Sequence, residues 1–204
     1  MPSSHENMAL WPLSLALIFH KGRAGQMKKL CSIAKAVVLL LIVSCTGVPQ
    51  GLKPVRGFEL ERYMGKWYEI ARLDHSFERN LSRVTAQYSL RQDGGVEVVN
   101  QGFNQKSGKW QMITGKAYLV GKESVGSLKV SFFGPFYGGY HIIALDQQDY
   151  SYAMVTGPSL SYLWILSREK TLDRVIVEEL VSKAKEWGFD TDKLIYVDQN
   201  LSET

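Results

Sequence analysis

Cysteine is almost missing from this chain: 204 residues hold two, Cys31 and Cys45, and none follows position 45. Everything after Cys45 therefore folds without an internal disulfide and without a cysteine-built metal centre. Histidine is nearly as scarce, with only His75 and His141 in that same stretch. These two have no metal-ligand spacing, and no Ser/His/Asp arrangement or phosphate-binding glycine loop accompanies them. Asp146, Asp149 and Asp173 read as turn and helix-start residues. No catalytic set, metal site or cofactor is expected. Long apolar runs are lacking too. The contiguous stretch 36–43 has eight residues, against the ~20 that a spanning helix needs. The charge excess, +4 with a pI near 9.0, belongs to one end of the chain. Lys21, Arg23, Lys28, Lys29 and Lys35 stand against Glu6 in residues 1–44, and the remainder carries 19 basic and 19 acidic residues. A neutral remainder gives no electrostatic reason to expect nucleic acid.

What is present at that end is an export signal. Met27-Lys28-Lys29 is a short positive region, and residues 36–43 are the apolar segment behind it. Residues 8–19 form a second apolar patch broken by Pro12. The simplest account is an upstream start codon with Met27 the working initiator, which makes 1–44 the leader. The leader ends in Ile42-Val43-Ser44-Cys45, which resembles the lipobox cut by bacterial lipoprotein signal peptidase. The plainer alternative is an ordinary export signal with an incidental cysteine. The lipobox resemblance implies that Cys45 becomes the first residue and carries acyl groups, and lipoproteins of this type carry enough chains to anchor stably. Thr46, where aspartate favours inner-membrane retention, implies sorting to the outer membrane with the domain facing the periplasm. Residues 46–57, rich in glycine and proline, read as a tether reaching at most about 40 Å, or about 20 Å as a flexible coil. The folded domain is expected over 58–200, with 201–204 a tail.

Within 58–200, apolar and polar residues alternate with period two. Val84, Ala86, Tyr88 and Leu90 take one face of a strand and Thr85, Gln87 and Ser89 the other. Asp93-Gly94-Gly95 is a hairpin turn. Further strands are expected over 96–101, 110–120, 128–133, 140–145, 150–156 and 162–167. Short links between them favour an antiparallel up-and-down meander, which loses its exposed edges on closure. One helix stands apart over 172–187, with Leu172, Ile176, Leu180, Ala184 and Trp187 on one stripe and Gly188 at its end. It is expected to pack outside the sheet on Tyr68, Ile70, Leu163 and Ile165, and 194–197 to form a short strand beside the first.

Two motifs frame this pattern. Gly65-Lys66-Trp67 opens the first strand, and Trp164-Ile165-Leu166-Ser167-Arg168 ends the last. Together they resemble the signature of the bacterial lipocalins, over roughly residues 58–200. The resemblance implies an all-β fold: an eight-stranded up-and-down antiparallel barrel with one C-terminal α-helix packed outside. It implies also that Arg168 stacks across the Trp67 indole and plugs the barrel floor, a contact worth about 0.5–2 kcal/mol. Gly65, Trp67 and Arg168 are thus structural.

Alternation carried along each strand turns Glu69 and Ala71 inward, with Tyr88, Val98, Asn100, Gly115, Ala117, Val130, Phe132, Tyr140, Ile142, Val155 and Trp164. Aromatics interleaved with glycine and alanine indicate a cavity, with Glu69, Asn100 and two tyrosine hydroxyls as polar anchors in an apolar pocket. His75 falls in a loop at the entrance, as do Phe136 and Tyr137, whose loop serves either as a lip or as a cover. The family resemblance implies a fatty acid or a lysophospholipid as ligand, carried or stored rather than turned over. A lipid-processing enzyme of the same fold and an anchored interaction scaffold are the alternatives, and the sequence leaves a homodimer open.

Overall fold

The computed structural model describes residues 46–200. The expected leader, Met27, Cys45 and the tail 201–204 lie outside the described residues. A short helix α1 (Leu60–Tyr63) precedes eight consecutive antiparallel strands: β1 (Gly65–Arg72), β2 (Leu81–Leu90), β3 (Val96–Asn104), β4 (Lys109–Leu119), β5 (Ser127–Ser131), β6 (Gly138–Leu145), β7 (Tyr152–Thr156) and β8 (Leu163–Ser167). Each pairs with the next, and β1 pairs with both β2 and β8, so the sheet closes into a barrel. Helix α2 (Arg174–Glu186) and a short strand β9 (Ile195–Tyr196) follow, β9 lying beside β1 at Ala71 and Arg72.

Local chemistry sets these elements. At the β2–β3 turn Gly94 takes φ +77°, and the Asp93 carboxylate accepts the Gly95 N–H at 3.1 Å. Helix α2 starts at Asp173, whose carboxylate accepts from Val175 N–H at 2.7 Å, and stops at Gly188, φ +87°. Its stripe lies on the outer wall as expected: Leu180 and Ala184 are buried with Leu163, Ile165 and Met154, and Ile70 packs at the margin. Burying a leucine there contributes about 2 kcal/mol. Tyr68 departs from expectation. It lies away from the helix, under the Lys66 ammonium at 4.9 Å from its ring centroid.

Residues 46–57, expected as a tether, lie along the barrel wall. The chain turns at Pro49–Leu52, where Leu52 N–H bonds Pro49 O at 3.1 Å and Leu52 joins the apolar cluster under α2. Val55 then bonds through its backbone to Ile142 O at 2.8 Å and Gly126 N at 2.9 Å, and Arg56 bridges Val125. At its start, the Thr46 carbonyl lies so close to Gly139 that a Cβ there would be 3.2 Å away.

The meander gives the barrel two distinct ends. The floor holds α1 and the turns after β2, β4 and β6, while the mouth holds the loops after β1, β3, β5 and β7.

Candidate functional site

The floor is closed by the two signature motifs. Trp67 is fully buried, and its indole N–H donates to Tyr63 O at 2.9 Å. The Arg168 guanidinium lies 4.0 Å from the Trp67 ring centroid, and it donates to three carbonyls: Arg62 at 2.7 Å, Lys66 at 3.0 Å and Tyr150 at 3.2 Å. Gly65 has φ +97°, and a Cβ there would stand 3.2 Å from Arg168 Nη1. The glycine of the motif therefore makes room for the arginine as well as for the backbone turn.

Above the floor lies a layer of tyrosines. The Tyr140 hydroxyl is 2.8 Å from that of Tyr63 and 2.9 Å from that of Tyr88. The expected anchors Tyr88 and Tyr140 thus satisfy each other directly, and Tyr140 also meets Tyr63, which belongs to α1 and precedes the motif. Burial raises all three hydroxyls, Tyr88 to about 12, so they stay neutral at any physiological pH.

Of the remaining inward residues, Val98, Ala117, Ile142 and Val155 are buried in the interior cluster, with Val130, Phe132 and Trp164 packed against it. These last three point inward yet stay only half-buried. Gly115 has another purpose than leaving a void. A Cβ there would be 2.7 Å from Phe132 Cδ1 and from Ser131 O, so its smallness seats the Phe132 ring.

Ala71 requires a correction. It was expected to face the lumen, and it is fully buried in the outer cluster beneath α2. The pairing of β1 with β8 slips between Glu69 and Ala71, a bulge that turns Ile70 and Ala71 to the same side. Arg72 then returns to the inward side, where alternation alone did not place it.

That bulge assembles the polar centre of the mouth. The Arg72 Nη1 donates to Glu69 Oε1 at 2.6 Å, and its Nη2 donates to Glu78 O at 2.8 Å and Leu81 O at 3.2 Å. Glu78 descends from the β1–β2 loop, and its carboxylate accepts the Trp164 indole N–H at 3.0 Å. All of Glu69, Arg72 and Glu78 are buried. Burial raises Glu69, the neighbouring Glu78 adds to it, and Arg72 opposes; Glu78 is raised by burial against the pull of Trp164 and Arg72. One guanidinium thus serves two carboxyl groups, and the cluster favours holding a proton. Two buried polar atoms of inward residues, Arg72 Nε and Asn100 Oδ1, lack a hydrogen-bond partner among the described residues.

Aromatic rings cover the cluster. His75 stacks on Phe77 and Tyr162 at centroid distances of 5.3 and 4.9 Å and leans on Trp164 at 4.8 Å. Burial, helped by Arg72, lowers His75 to about 4, so it is neutral there. His141 sits on the outer wall as its parity indicates, its Nδ1 2.8 Å from Ser127 Oγ. In the β5–β6 loop Phe136 is 75% exposed, while Tyr137 is half-buried with the Lys129 ammonium 5.1 Å from its ring centroid. Arg72, Glu78 and Tyr63 are the residues that alternation missed. A charged residue one step past Ala71 was the available sign of the bulge.

A closed antiparallel cup with a sealed floor, an apolar interior and a polar mouth defines a small-ligand-binding β-barrel protein. The lipocalin-like domain family model matches residues 58–199, and the chain belongs to the lipocalin family. It is 53% identical over 170 residues to the outer membrane lipoprotein Blc of Vibrio cholerae, covering 83% of this chain and 95% of that protein. To the protein of the same name from Escherichia coli K12 it is 50% identical over 175 residues, 85% of this chain and 98% of that one. Among solved structures, insecticyanin from the tobacco hornworm Manduca sexta superposes with a TM-score of 0.60 at 24% identity, over 78% of this chain and 88% of that one. The last shows the fold alone.

Proposed function

We propose that this lipocalin is acylated at Cys45 and held at the outer membrane, barrel in the periplasm, where it binds a fatty acid or lysophospholipid. The relatives named as outer membrane lipoproteins support the location, together with the lipobox-like Ile42-Val43-Ser44-Cys45. One observation carries the ligand class: the buried Glu69–Arg72–Glu78 cluster stands at the mouth of an otherwise apolar interior. An acyl lipid has the matching division, with one charged or hydrogen-bonding end and one apolar tail. Placing about ten methylenes inside gains roughly 8 kcal/mol gross at ~0.8 kcal/mol each. Ordering costs reduce this to micromolar or somewhat tighter binding. Arg72 and Asn100 meet the head, and Val98, Val130, Phe132 and Trp164 meet the tail.

Native mass spectrometry of the delipidated protein mixed with lysophospholipid or fatty acid tests this. Retained lipid and quenching of Trp164 are expected, and protein that retains neither overturns the ligand assignment. Incubation with a lipid panel separates carriage from turnover, because carriage returns every lipid unchanged.

A further inference from the structure

The β5–β6 loop combines three properties that occur together in no other mouth loop. It is uncharged: from Val130 to Tyr140 the chain has no acidic or basic residue. It is apolar and open, with Phe133 74% and Phe136 75% exposed. And it adjoins the start of the described chain, because the Thr46 carbonyl packs on Gly139, two residues beyond Tyr137. Cys45 is bonded to Thr46, and consecutive Cα atoms are about 3.8 Å apart. The residue expected to carry lipid is therefore bonded to one that packs against the end of this loop.

We propose that the β5–β6 loop is a membrane-contacting element, with Phe133 and Phe136 seated in the leaflet that holds the acyl chains of Cys45. The proposal rests on the acylation of Cys45 set out above. The docked segment 46–57 prevents the barrel from turning freely on its anchor, since Val55 and Arg56 pin it to the wall. Phenylalanine rings gain by burial among lipid acyl groups, and a tyrosine such as Tyr137 sits at the interface with its hydroxyl in water. The Lys129 ammonium beside the Tyr137 ring is placed to reach lipid phosphates at the edge of the patch. Exposed charges elsewhere on the mouth are net positive. Arg79, Lys106 and Lys109 stand against Asp74, and Asp74 is paired to Arg79 at 2.7 Å. An anionic phospholipid surface fits this balance. With that side of the mouth at the leaflet, a lipid passes from bilayer to barrel without crossing water.

The test uses full-length acylated protein in vesicles of phosphatidylethanolamine and phosphatidylglycerol. Cys45 is capped by its lipid, so a single added cysteine takes an environment-sensitive fluorophore. Phe133→Cys reports on the loop and Glu123→Cys on the floor. A blue-shifted emission at 133 and an aqueous one at 123 are expected. A flexible insertion of twelve Gly/Ser residues between Cys45 and Thr46, about 20 Å as a coil, should return the 133 label towards its aqueous emission. An aqueous 133 label in the uninserted protein, or a blue shift confined to 123, overturns the proposal. Protein that washes off the vesicles and lacks acyl mass overturns it as well. Lipid retention by native mass spectrometry on the same sample separates the two readings. Retained lipid with an aqueous 133 label defeats the contact alone, and a buried label without retained lipid defeats the ligand assignment alone.

Discussion

Arg72 is the residue on which the mouth depends. Its guanidinium holds Glu69 at 2.6 Å and ties the β1–β2 loop through the Glu78 and Leu81 carbonyls. Arg72→Met leaves two carboxyl groups buried with no counter-charge, a loss of about 3–5 kcal/mol. Urea denaturation should show this as a lowered midpoint, and adding Glu69→Met should restore much of it. His75 gives the pH dependence. Its folded value is lowered to about 4 from an ordinary 6.5, so the unfolded chain takes up the proton first as pH falls. The stability from neutral, buried His75 is complete above about pH 6.5 and is lost as pH falls towards 4, by up to about 3 kcal/mol. Glu69, raised by burial, acts in the opposite sense, so the comparison that isolates His75 is with His75→Phe, which keeps the stacking. The difference in unfolding free energy between the two proteins should shift by that amount from pH 7 to pH 4. A pH-independent difference would remove His75 as the cause.

Among the elements, those governed by one period were legible from the amino acids. Strands β2 to β8 and helix α2 fall within a few residues of where alternation and the Leu172–Trp187 stripe place them. Elements set by irregularity were not. The bulge after Glu69 inverts the phase of β1, and nothing in Glu69-Ile70-Ala71-Arg72 fixes on which residue the slip occurs. Residues 46–57 looked like a tether because glycine and proline carry no periodicity. The structure shows them held by backbone bonds and by contacts to glycines that offer no Cβ. Gly139 is the sharpest of these, since a Cβ there would meet His141 Nε2 at 2.6 Å as well as the Thr46 carbonyl. Gly139→Val should loosen the segment and speed tryptic cleavage after the exposed Arg56. Gly138→Ala, which meets nothing within 4 Å, is the control and should cleave at the parent rate. Equal rates in both variants would mean that the segment is held elsewhere.

For the whole molecule, the two signature motifs foretold closure. Gly65, Trp67 and Arg168 meet as the resemblance implied, and they join the first strand to the end of the last. The polar centre was less legible. Glu69 was visible by parity, but its partners come from a bulge and from a loop, and each is brought in by tertiary geometry rather than by spacing. The same holds for Tyr63, which lies outside the barrel strands and still completes the tyrosine layer.

The seal made by Arg168 over Trp67 makes the barrel a blind-ended vessel. A conduit could load at one end while emptying at the other, but a cup has one doorway for both traffic directions. An occupant must back out by the way it entered before a successor can settle. Under the proposed lipid binding, exchange is therefore governed by departure, whatever the supply outside, and a filled cup empties only across its rim.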